Sequence, residues 1–474
     1  MRRPKYTIFM SLFLGSLAGC NFAPKYTPPD QPIPNEWRTE SEIGKDSENS
    51  GWWKLLGDEV LDSLIQVALQ NNRDLQVAVW RVKQYQADYY VAHSSLFPQV
   101  SLNSLAVKEK LPIDEDFLPP GFNSITPDYR LNVSLSYELD FWGKIRNSSF
   151  AAYSQYLAEV ANRRTVVLTL VSSVVQAYVY LRQLDLQLQV SRKILETRKE
   201  SLEIARYRFE GGLTSKIEVD QALSVYEESI AAVEDFKRKV PQQENLLSVL
   251  LGEAPHLVTR GKTLREFLLP EAVPVGMPVD LLTRRPDIIQ AENNLIAANA
   301  NIGVARASFF PQINFATLYG LDSLQLKTLF QKTSKTWTIG GTFLQELFTG
   351  GALTAQLKIA EAQKKELVAT YEQKILKALQ EVNDSLIGFK QSKKIFVANE
   401  AEVAALKDYL ELAWYRYYEG ETQYLTVLDA ERKVFSAELN MISSEADQFL
   451  TLVNIYKSVG GGWVLEADKE VPIK

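Results

Sequence analysis

The sequence predicts a mainly α-helical, internally duplicated chain in which long antiparallel coiled-coil hairpins alternate with a few amphipathic β-strands. Three observations support this fold class. Apolar residues recur every seven positions over very long stretches, and two blocks of sequence repeat in the same order. Between the helical segments, apolar and polar residues alternate with a period of two, which is typical of strands.

The composition is that of a folded chain, and it argues against several classes of site. Of 474 residues, 46% are hydrophobic and 23% are charged, and the formal net charge is −6. An acidic chain is a poor candidate for nucleic-acid binding. With one cysteine and two histidines, neither an intrachain disulfide nor a Cys/His zinc cluster can form. We therefore expect no metal site, no cofactor and no catalytic residues. No apolar run of about 18 residues follows the N-terminus, so we expect no ordinary transmembrane helix.

The N-terminus has the features of an export signal. Basic residues are followed by the apolar stretch Tyr6–Leu17 and by the sequence LAGC, which ends at Cys20. Small residues before a cleavage point are typical of signal peptides. The pattern resembles a bacterial lipobox, which implies removal of residues 1–19 and a lipid on Cys20. Asn21, where an aspartate would favour the inner membrane, suggests the outer membrane instead.

Residues 20–57 are predicted to form an extended arm. The segment 21–50 is rich in proline, serine and acidic residues, so it has too few apolar side chains to build a core. We expect Trp37, Trp52 and Trp53 to hold the arm against the body of the protein.

Two blocks of sequence recur without gaps. Asp74–Leu102 aligns with Asp287–Phe315 at an offset of 213, and Ala205–Ala222 aligns with Ala413–Ala430 at an offset of 208. An internal repeat with its elements in the same order predicts two copies of one structural unit. The identical pairs include Ala78/Ala291, Ala87/Ala300, Pro98/Pro311, Ala205/Ala413, Tyr207/Tyr415, Gly212/Gly420 and Ala222/Ala430.

The clearest strand pattern lies in the first repeat. Its apolar positions are Tyr129, Leu131, Val133, Leu135, Tyr137, Leu139 and Phe141, with polar residues between them. Three shorter alternations surround Val100, Ile313 and Ile339. The longest run fits a tilted membrane strand of about 9–11 residues, but a half-buried soluble strand gives the same alternation. Four strands cannot close a channel, and open edges cannot face lipid. A membrane location therefore predicts that several chains share one barrel.

Each strand pair is followed by a long helical pattern. Heptad rows run from Val160 to Phe209, from Val368 to Tyr417 and from Leu428 to Tyr456. A strict seven-residue repeat implies left-handed supercoiling. As a helix, Gly143–Glu210 would be about 100 Å long at a rise of 1.5 Å per residue.

A glycine turn joins the long helices of each half. The helical pattern stops at Gly420 and resumes near Thr422, and Gly211–Thr214 is the corresponding segment of the first repeat. Glycine adopts the left-handed conformation at a helix end at little cost, so both segments are predicted to be hairpin tips. Ser215 and Glu218 have the spacing of a capping box.

These features together resemble the TolC family of outer-membrane efflux proteins, in its lipoprotein branch. The resemblance covers about residues 50–463. It rests on LTRRPD at Leu282–Asp287, Phe310-Pro311, YRYYEGETQYLTVLDAER at Tyr415–Arg432, and GGGW ending at Trp463. It implies a homotrimer with one shared 12-stranded β-barrel and a periplasmic tunnel of coiled-coil helices. The implied function is passive export of drugs or other small molecules, delivered by a periplasmic adaptor and an inner-membrane pump, through the outer-membrane lipid.

The resemblance also implies roles for segments of the chain. Residues 109–127 and 320–335 would be extracellular loops, and the turns facing the adaptor and pump would be Gly211, Gly212, Leu213, Thr214, Gly420, Glu421 and Thr422. The implied domain boundaries are 1–19 for the signal peptide, 20–57 for the lipidated arm, 58–250 for the first repeat, 251–285 for an equatorial connector, 286–458 for the second repeat and 459–474 for a C-terminal belt segment.

A periplasmic gate is implied at the second tip, at Tyr417, Leu425, Asp429 and Arg432. Independently of the family, Arg432 interrupts an apolar seam, which is costly unless the charge is paired or hydrated. Asp429 lies three residues before it, within reach on a helix. A solvated ion pair without a role in gating is the alternative. Gln221 occupies the position of Asp429 in the first repeat, so the two tips are not equivalent.

Other functions stay open on the sequence alone. Within the family, the duct could serve a metal-efflux or a type I protein-secretion system instead. A structural coiled-coil lipoprotein with a soluble sheet is a second class, and pore conductance would separate it from a duct. An envelope hydrolase is a third class, but no GxSxG or HExxH motif supports it.

Overall fold

The computed structural model describes residues 21–38, 51–110, 125–270 and 275–461. The chain divides into two compact units. One comprises Met1–Pro29, Lys83–Ala158 and Ala291–Tyr371, and the other comprises Asp30–Val82, Glu159–Gln290 and Glu372–Lys474. The predicted signal peptide, Cys20 and the segment after Gly461 lie outside the described residues.

The helices and strands repeat in the same order in both halves, which confirms the predicted duplication. The first half contains α1 (Glu59–Asn71), α2 (Arg73–Ser94), β1 (Gln99–Lys110), β2 (Ile125–Glu138), α3 (Lys144–Glu210) and α4 (Lys216–Leu250). The second contains α5 (Leu281–Arg284), α6 (Pro286–Ala307), β3 (Gln312–Ser323), β4 (Lys335–Leu344), α7 (Ala352–Tyr418) and α8 (Tyr424–Ser458). The correspondence extends to length, because α3 and α7 each have 67 residues and α4 and α8 each have 35.

The four strands form one antiparallel sheet in the order β1-β2-β3-β4. The two halves of the duplicated sequence meet in its centre, where Tyr137 of β2 lies opposite Phe315 of β3. Every residue of β1 is exposed within a single chain, and so is nearly every residue of β4. Apolar side chains are among them, including Leu102 at 72% and Trp337 at 69% exposure. Within the described part of a single chain, no hydrophobic core therefore packs against the outer strands β1 and β4 on either face of the sheet.

The boundaries of β2 and of the loops differ from the prediction. The alternating pattern reaches Phe141, but β2 ends at Glu138, and Asp140 instead accepts hydrogen bonds from the first turn of α3. Its carboxylate accepts hydrogen bonds from the backbone N–H groups of Ile145 and Arg146, at 3.1 and 2.8 Å. The strands also extend into both predicted loops. The loop after β3 is shortened to 324–334, and the one between β1 and β2 is shortened to residues 111–124, which lie outside the described residues.

Helix α3 contains an 18-residue window whose length and composition would suit a membrane span, the one such case among the described helices. The sequence-based expectation that no apolar run of about 18 residues follows the N-terminus is therefore too strong. Of that window, 61% is buried inside the chain, which is the behaviour of a core helix. Val171, Val174 and Leu181 of this helix are fully buried.

The tryptophans of the arm are buried as expected. Trp37 donates from Nε1 to the carbonyl of Gly276 at 2.8 Å, and Trp52 stacks on Tyr456 with ring centroids 4.9 Å apart. Trp53 is 8% exposed. These contacts attach the C-terminal part of the arm to the second compact unit.

Candidate functional site

Both hairpin tips have the same backbone conformation and the same pattern of turn hydrogen bonds. In the first, the N–H of Leu213 donates to the carbonyl of Arg208, and Gly212 has a φ of 75°. In the second, the N–H of Glu421 donates to the carbonyl of Arg416, and Gly420 has φ of 76°. This is a Schellman turn, which requires a left-handed residue after the helix. A Cβ at either glycine would meet nothing within 4 Å, so the conformation alone requires glycine there.

The remaining turn residues form an open surface. Gly211, Leu213 and Glu421 are exposed, and Thr214 and Thr422 are half-buried. Leu213 is 75% exposed, which leaves its side chain available for contact. The second turn is also held by side chains. Glu421 accepts from Arg416 at 3.3 Å, and the hydroxyls of Thr422 and Thr426 lie 3.0 Å apart.

Four helices meet behind the turns in a buried cluster, called the tip core below. Its members are Leu202, Ala205, Ala222, Ala413, Tyr417, Tyr424, Val427, Leu428 and Ala430. Two of the identical pairs of the sequence repeat, Ala205/Ala413 and Ala222/Ala430, lie here with at most 4% exposure. Small residues allow the helices to approach closely, which explains why these positions carry alanine in both copies.

Tyr417 belongs to this core and not to the exposed face of the tip. Its ring is 7% exposed, and its hydroxyl donates to Oε2 of Glu218 at 2.9 Å. Burial and the nearby Glu218 carboxylate raise the pKa of Tyr417 to about 12. The guanidinium of Arg208 lies 4.8 Å from the ring centroid. The predicted capping box is wrong, because Ser215 makes no side-chain cap hydrogen bond and Glu218 bonds to Tyr417 instead.

Leu425, Asp429 and Arg432 share one exposed stripe of α8. Their spacing of four and three residues places them on one helical face. Leu425 is 54% exposed, and the side chains of Asp429 and Arg432 are 35% and 64% exposed. Oδ1 of Asp429 lies 3.6 Å from Nη2 of Arg432. The predicted ion pair therefore forms within one chain, on a surface that the chain itself does not cover.

Lys433 completes this stripe and was missed in the sequence. Its Nζ lies 2.7 Å from Oδ2 of Asp429, which is closer than Arg432. The Asp429 carboxylate raises the pKa of Lys433 through a hydrogen bond and its charge. The sequence signal for Lys433 is its position four residues after Asp429, which places the two side chains next to each other on a helix.

Two buried ionisable residues in the same region were also missed. Arg198 of α3 is 2% exposed and Glu431 of α8 is 7% exposed. Arg198 donates from Nη1 to the carbonyl of Val225 at 3.1 Å and lies over the ring of Phe435. Burial raises the pKa of Glu431 to about 7, and the charge of Arg198 opposes that shift only in part. Neither position stands out in the heptad pattern.

The distinctive LTRRPD block contains a network of hydrogen bonds and ion pairs centred on the buried Arg285. Arg285 is 7% exposed and donates to both carboxylate oxygens of Asp287, at 3.0 and 2.8 Å. It also donates to Glu381 at 2.7 Å and to the carbonyl of Ser458 at 2.8 Å. Burial alone would raise the pKa of Asp287, but the hydrogen bonds and charge of Arg285 hold that pKa below its ordinary value. The block therefore joins the start of α6 to α7 and to the end of α8.

In the first compact unit, the residues that follow Cys20 are docked rather than loose. Phe22 stacks on Phe310 with ring centroids 4.4 Å apart. Asn21 accepts from Asn147 at 2.9 Å. A Cβ on Gly303 would lie 2.7 Å from that of Ala23, so only glycine leaves room for the arm. Cys20 itself lies outside the described residues.

Comparison with known proteins decides the family. The family described as "Outer membrane efflux protein" matches residues 64–253 and 277–461. The chain belongs to this family. No group of three or more potential metal-ligating residues occurs among the residues that the structure describes.

Individual outer membrane efflux proteins are similar over nearly their whole length. The solvent efflux pump outer membrane protein SrpC of Pseudomonas putida is 34% identical over 471 residues, covering 98% of this chain and 99% of that protein. The antibiotic efflux pump outer membrane protein ArpC of Pseudomonas putida is 37% identical over 457 residues, covering 94% and 93%. The crystal structure of the Campylobacter jejuni CmeC outer membrane channel is similar with a TM-score of 0.88 and 26% identity, covering 95% and 98%.

Proposed function

We propose that the chain is the outer-membrane exit duct of a tripartite efflux system. It would conduct small molecules passively from a periplasmic adaptor and an inner-membrane pump to the outside, without catalysis. The observation that carries this proposal is the four-stranded sheet, whose apolar side chains are exposed and whose outer strands β1 and β4 each have one unpaired edge within the described part of a chain. Such a sheet is incompatible with lipid until its edges are paired.

In a homotrimer, the edge strands of neighbouring copies can pair with each other. Pairing β4 of one copy with β1 of the next, around a threefold axis, closes a barrel of 12 strands from the four of each chain. Helices α3, α4, α7 and α8 then supply the wall of a periplasmic tunnel. The proposed domains are those of the sequence: the arm at 20–57, the repeats at 58–250 and 286–458, the connector at 251–285 and the belt segment at 459–474.

The stripe of Leu425, Asp429 and Arg432 is proposed as the periplasmic gate. In a trimer with α8 toward the axis, three copies of an exposed leucine and of an unburied ion pair would face one another. Each contributes on the order of 1 kcal/mol, which a partner protein can overcome. Tyr417 would act from behind this stripe, because its bond to Glu218 holds α7 against α4 at the base of the tip.

The turns and the N-terminus are proposed to make the external contacts. Gly211, Gly212, Leu213, Thr214, Gly420, Glu421 and Thr422 would face the adaptor and pump. Cys20 would carry the lipid anchor, since the docked segment that follows it at Asn21 and Phe22 holds this end of the chain in place. Similar proteins are named for solvents and for antibiotics, so apolar and amphipathic small molecules are the proposed cargo.

Purified full-length protein tests the duct directly. In mild detergent, light scattering should give the mass of three chains, and planar bilayers should show discrete conductance steps. A Leu102→Pro substitution in the exposed strand β1 should remove both, because proline has no N–H to donate to the hydrogen bonds between strands. As a control, Leu257→Pro places proline at an 83% exposed position outside the sheet and should leave both unchanged. A folded monomer of the unaltered protein, or a trimer without conductance, would contradict the proposal.

A further inference from the structure

The buried pair of Arg198 and Glu431 lacks the hydrogen bonds that burial normally demands. Neither carboxylate oxygen of Glu431 has a hydrogen-bond partner, and neither do Nε and Nη2 of Arg198. Both side chains are more than nine-tenths buried. A charged group in such surroundings is strongly disfavoured unless it is paired and hydrogen-bonded. An unbonded carboxyl group is tolerated far better in its neutral form than in its ionised form.

The groups around Glu431 come from all four helices of the tip. Helix α3 contributes Arg198, and α4 contributes Glu228, whose Oε2 lies 3.8 Å from Nη1 of Arg198. Helix α8 contributes Tyr424, whose phenol feels the charge of Glu431, and Arg432, whose charge acts on Arg198. Helix α7 contributes Tyr417, whose ring lies 5.2 Å from that of Tyr424.

This environment offers Glu431 little compensation for a negative charge. Arg198 is the nearest cation, but it is shared with Glu228. Arg432 points to solvent with 64% of its side chain exposed. The phenols of Tyr417 and Tyr424 stay neutral, because burial raises the pKa of both. No histidine lies in the cluster, since the two in the sequence are His93 and His256.

We propose that Glu431, opposite Arg198, is a proton-binding site that fastens the tip in acid and loosens it as the pH rises. The protonated carboxyl fits the closed packing of α3 against α8. Loss of the proton leaves a buried carboxylate without donors, so the helices must separate enough for water to enter or for Arg198 to turn. Glu431 is followed directly by Arg432 of the proposed gate, and a shift of α8 at this point moves both.

The pH window follows from the two states of this group. When the tip opens, Glu431 meets water and its pKa returns to about 4.5, whereas burial raises the pKa to about 7 in the packed tip. Between these values the packed state holds one proton more than the open state. The equilibrium constant for opening should therefore rise about tenfold per pH unit from pH 5 to pH 7 and level off above that.

Hydrogen exchange of the full-length trimer in detergent tests this without reference to transport. Rates for peptides covering 198–202 and 424–432 are measured from pH 5 to pH 8 and corrected for intrinsic chemical exchange. We expect protection to fall toward pH 7 in the wild type and to stay constant in Glu431→Gln, which mimics the protonated side chain. Glu411→Gln, at an exposed position of α7, should behave as wild type. Constant protection in the wild type would overturn the proposal.

Conductance in planar bilayers is the second readout. This readout depends on the proposed function as a duct, whereas hydrogen exchange does not. Wild type and Glu411→Gln should conduct more at pH 7.5 than at pH 5.5, whereas Glu431→Gln should conduct equally at both. If exchange depends on pH through Glu431 but conductance does not, the proton site stands and the proposed gate falls. If conductance depends on pH equally in Glu431→Gln, the site does not control the tip and this proposal is wrong.

Discussion

The hydroxyl of Tyr417 donates a 2.9 Å hydrogen bond to Oε2 of Glu218, a residue 199 positions earlier in the chain. The bond joins α7 of the second repeat to α4 of the first. The Tyr417 ring is only 7% exposed and is packed in the tip core, whereas Glu218 is half-buried, so the bond is partly shielded from water. It is therefore a direct polar link between the two hairpins at their tips.

Tyr417→Phe should loosen the tip without unfolding the long helices. The substitution keeps the buried ring but removes a hydrogen bond to a carboxylate, worth about 1.5–3 kcal/mol. We expect faster hydrogen exchange in peptides covering residues 216–222 and 413–424, with no change in trimer mass. Tyr418→Phe is the matched control, because Tyr418 is adjacent and 61% exposed. Equal exchange in the two variants would show that the bond contributes nothing.

Leu425→Ala combined with Asp429→Ala should open the proposed gate. The change removes an exposed apolar side chain and the anion that holds both Arg432 and Lys433. We expect larger single-channel conductance and greater sensitivity of cells to a bulky antibiotic. The control is Leu412→Ala with Asp408→Ala, which removes the same groups from exposed positions of α7. Unchanged conductance with an intact trimer would place the gate elsewhere.

Arg285→Met should destabilise the protein more than any exposed arginine change. It leaves the half-buried Asp287 carboxylate without its cationic partner, and removing one partner of a buried ion pair typically costs about 3–5 kcal/mol. We expect a clearly lower melting temperature by circular dichroism in detergent. Arg285→Met with Asp287→Asn should recover part of the loss, because no charge is then left alone. Arg306→Met, 41% exposed in its side chain, is the control. A melting temperature equal to that of the control would refute the structural role.

Acid should weaken the ion pair between Arg285 and Asp287. The pKa of Asp287 is held below its ordinary value of 3.8, so its ion pair with Arg285 contributes fully above that value. This contribution is lost as the pH falls through the lower pKa of the folded protein. We expect wild type to lose stability below about pH 4 more steeply than Asp287→Asn, measured by melting temperature across pH. Parallel curves for the two proteins would show that Asp287 is not coupled to folding.

Cys20→Ser should abolish lipid attachment and cleavage before residue 20. Intact-mass spectrometry of the wild type should show a mature chain that begins at Cys20 and carries acyl groups, and the variant should show neither. Wild-type protein with an unmodified N-terminus at another position would contradict the prediction. Phe22→Ala, which removes the stacking on Phe310, should keep the lipid and therefore separates anchoring from docking of the arm.

The fold could be predicted in large part from the sequence because its main signals are local and periodic. The seven-residue apolar rows imply paired long helices, and the described residues include α3 and α7 with 67 residues each and α4 and α8 with 35 each. Gly212 and Gly420 predicted the tips, because a left-handed residue after a helix strongly favours glycine. The period of two predicted the strands, although their ends shifted where Asp140 capped a helix instead.

Only the tertiary structure decided which polar residues are buried and which partners they meet. The heptad pattern placed Tyr417 and Arg432 each on an apolar seam of its own helix, yet Tyr417 lies in the tip core and Arg432 is exposed. The environment of Glu431 depends on Arg198, which is far away in the sequence and sits on a helix of the other repeat. Periodicity tells which face of a helix is apolar, but not which neighbouring helix covers each position. Burial and hydrogen bonding are set by that neighbour, and they decide where a charge is tolerated.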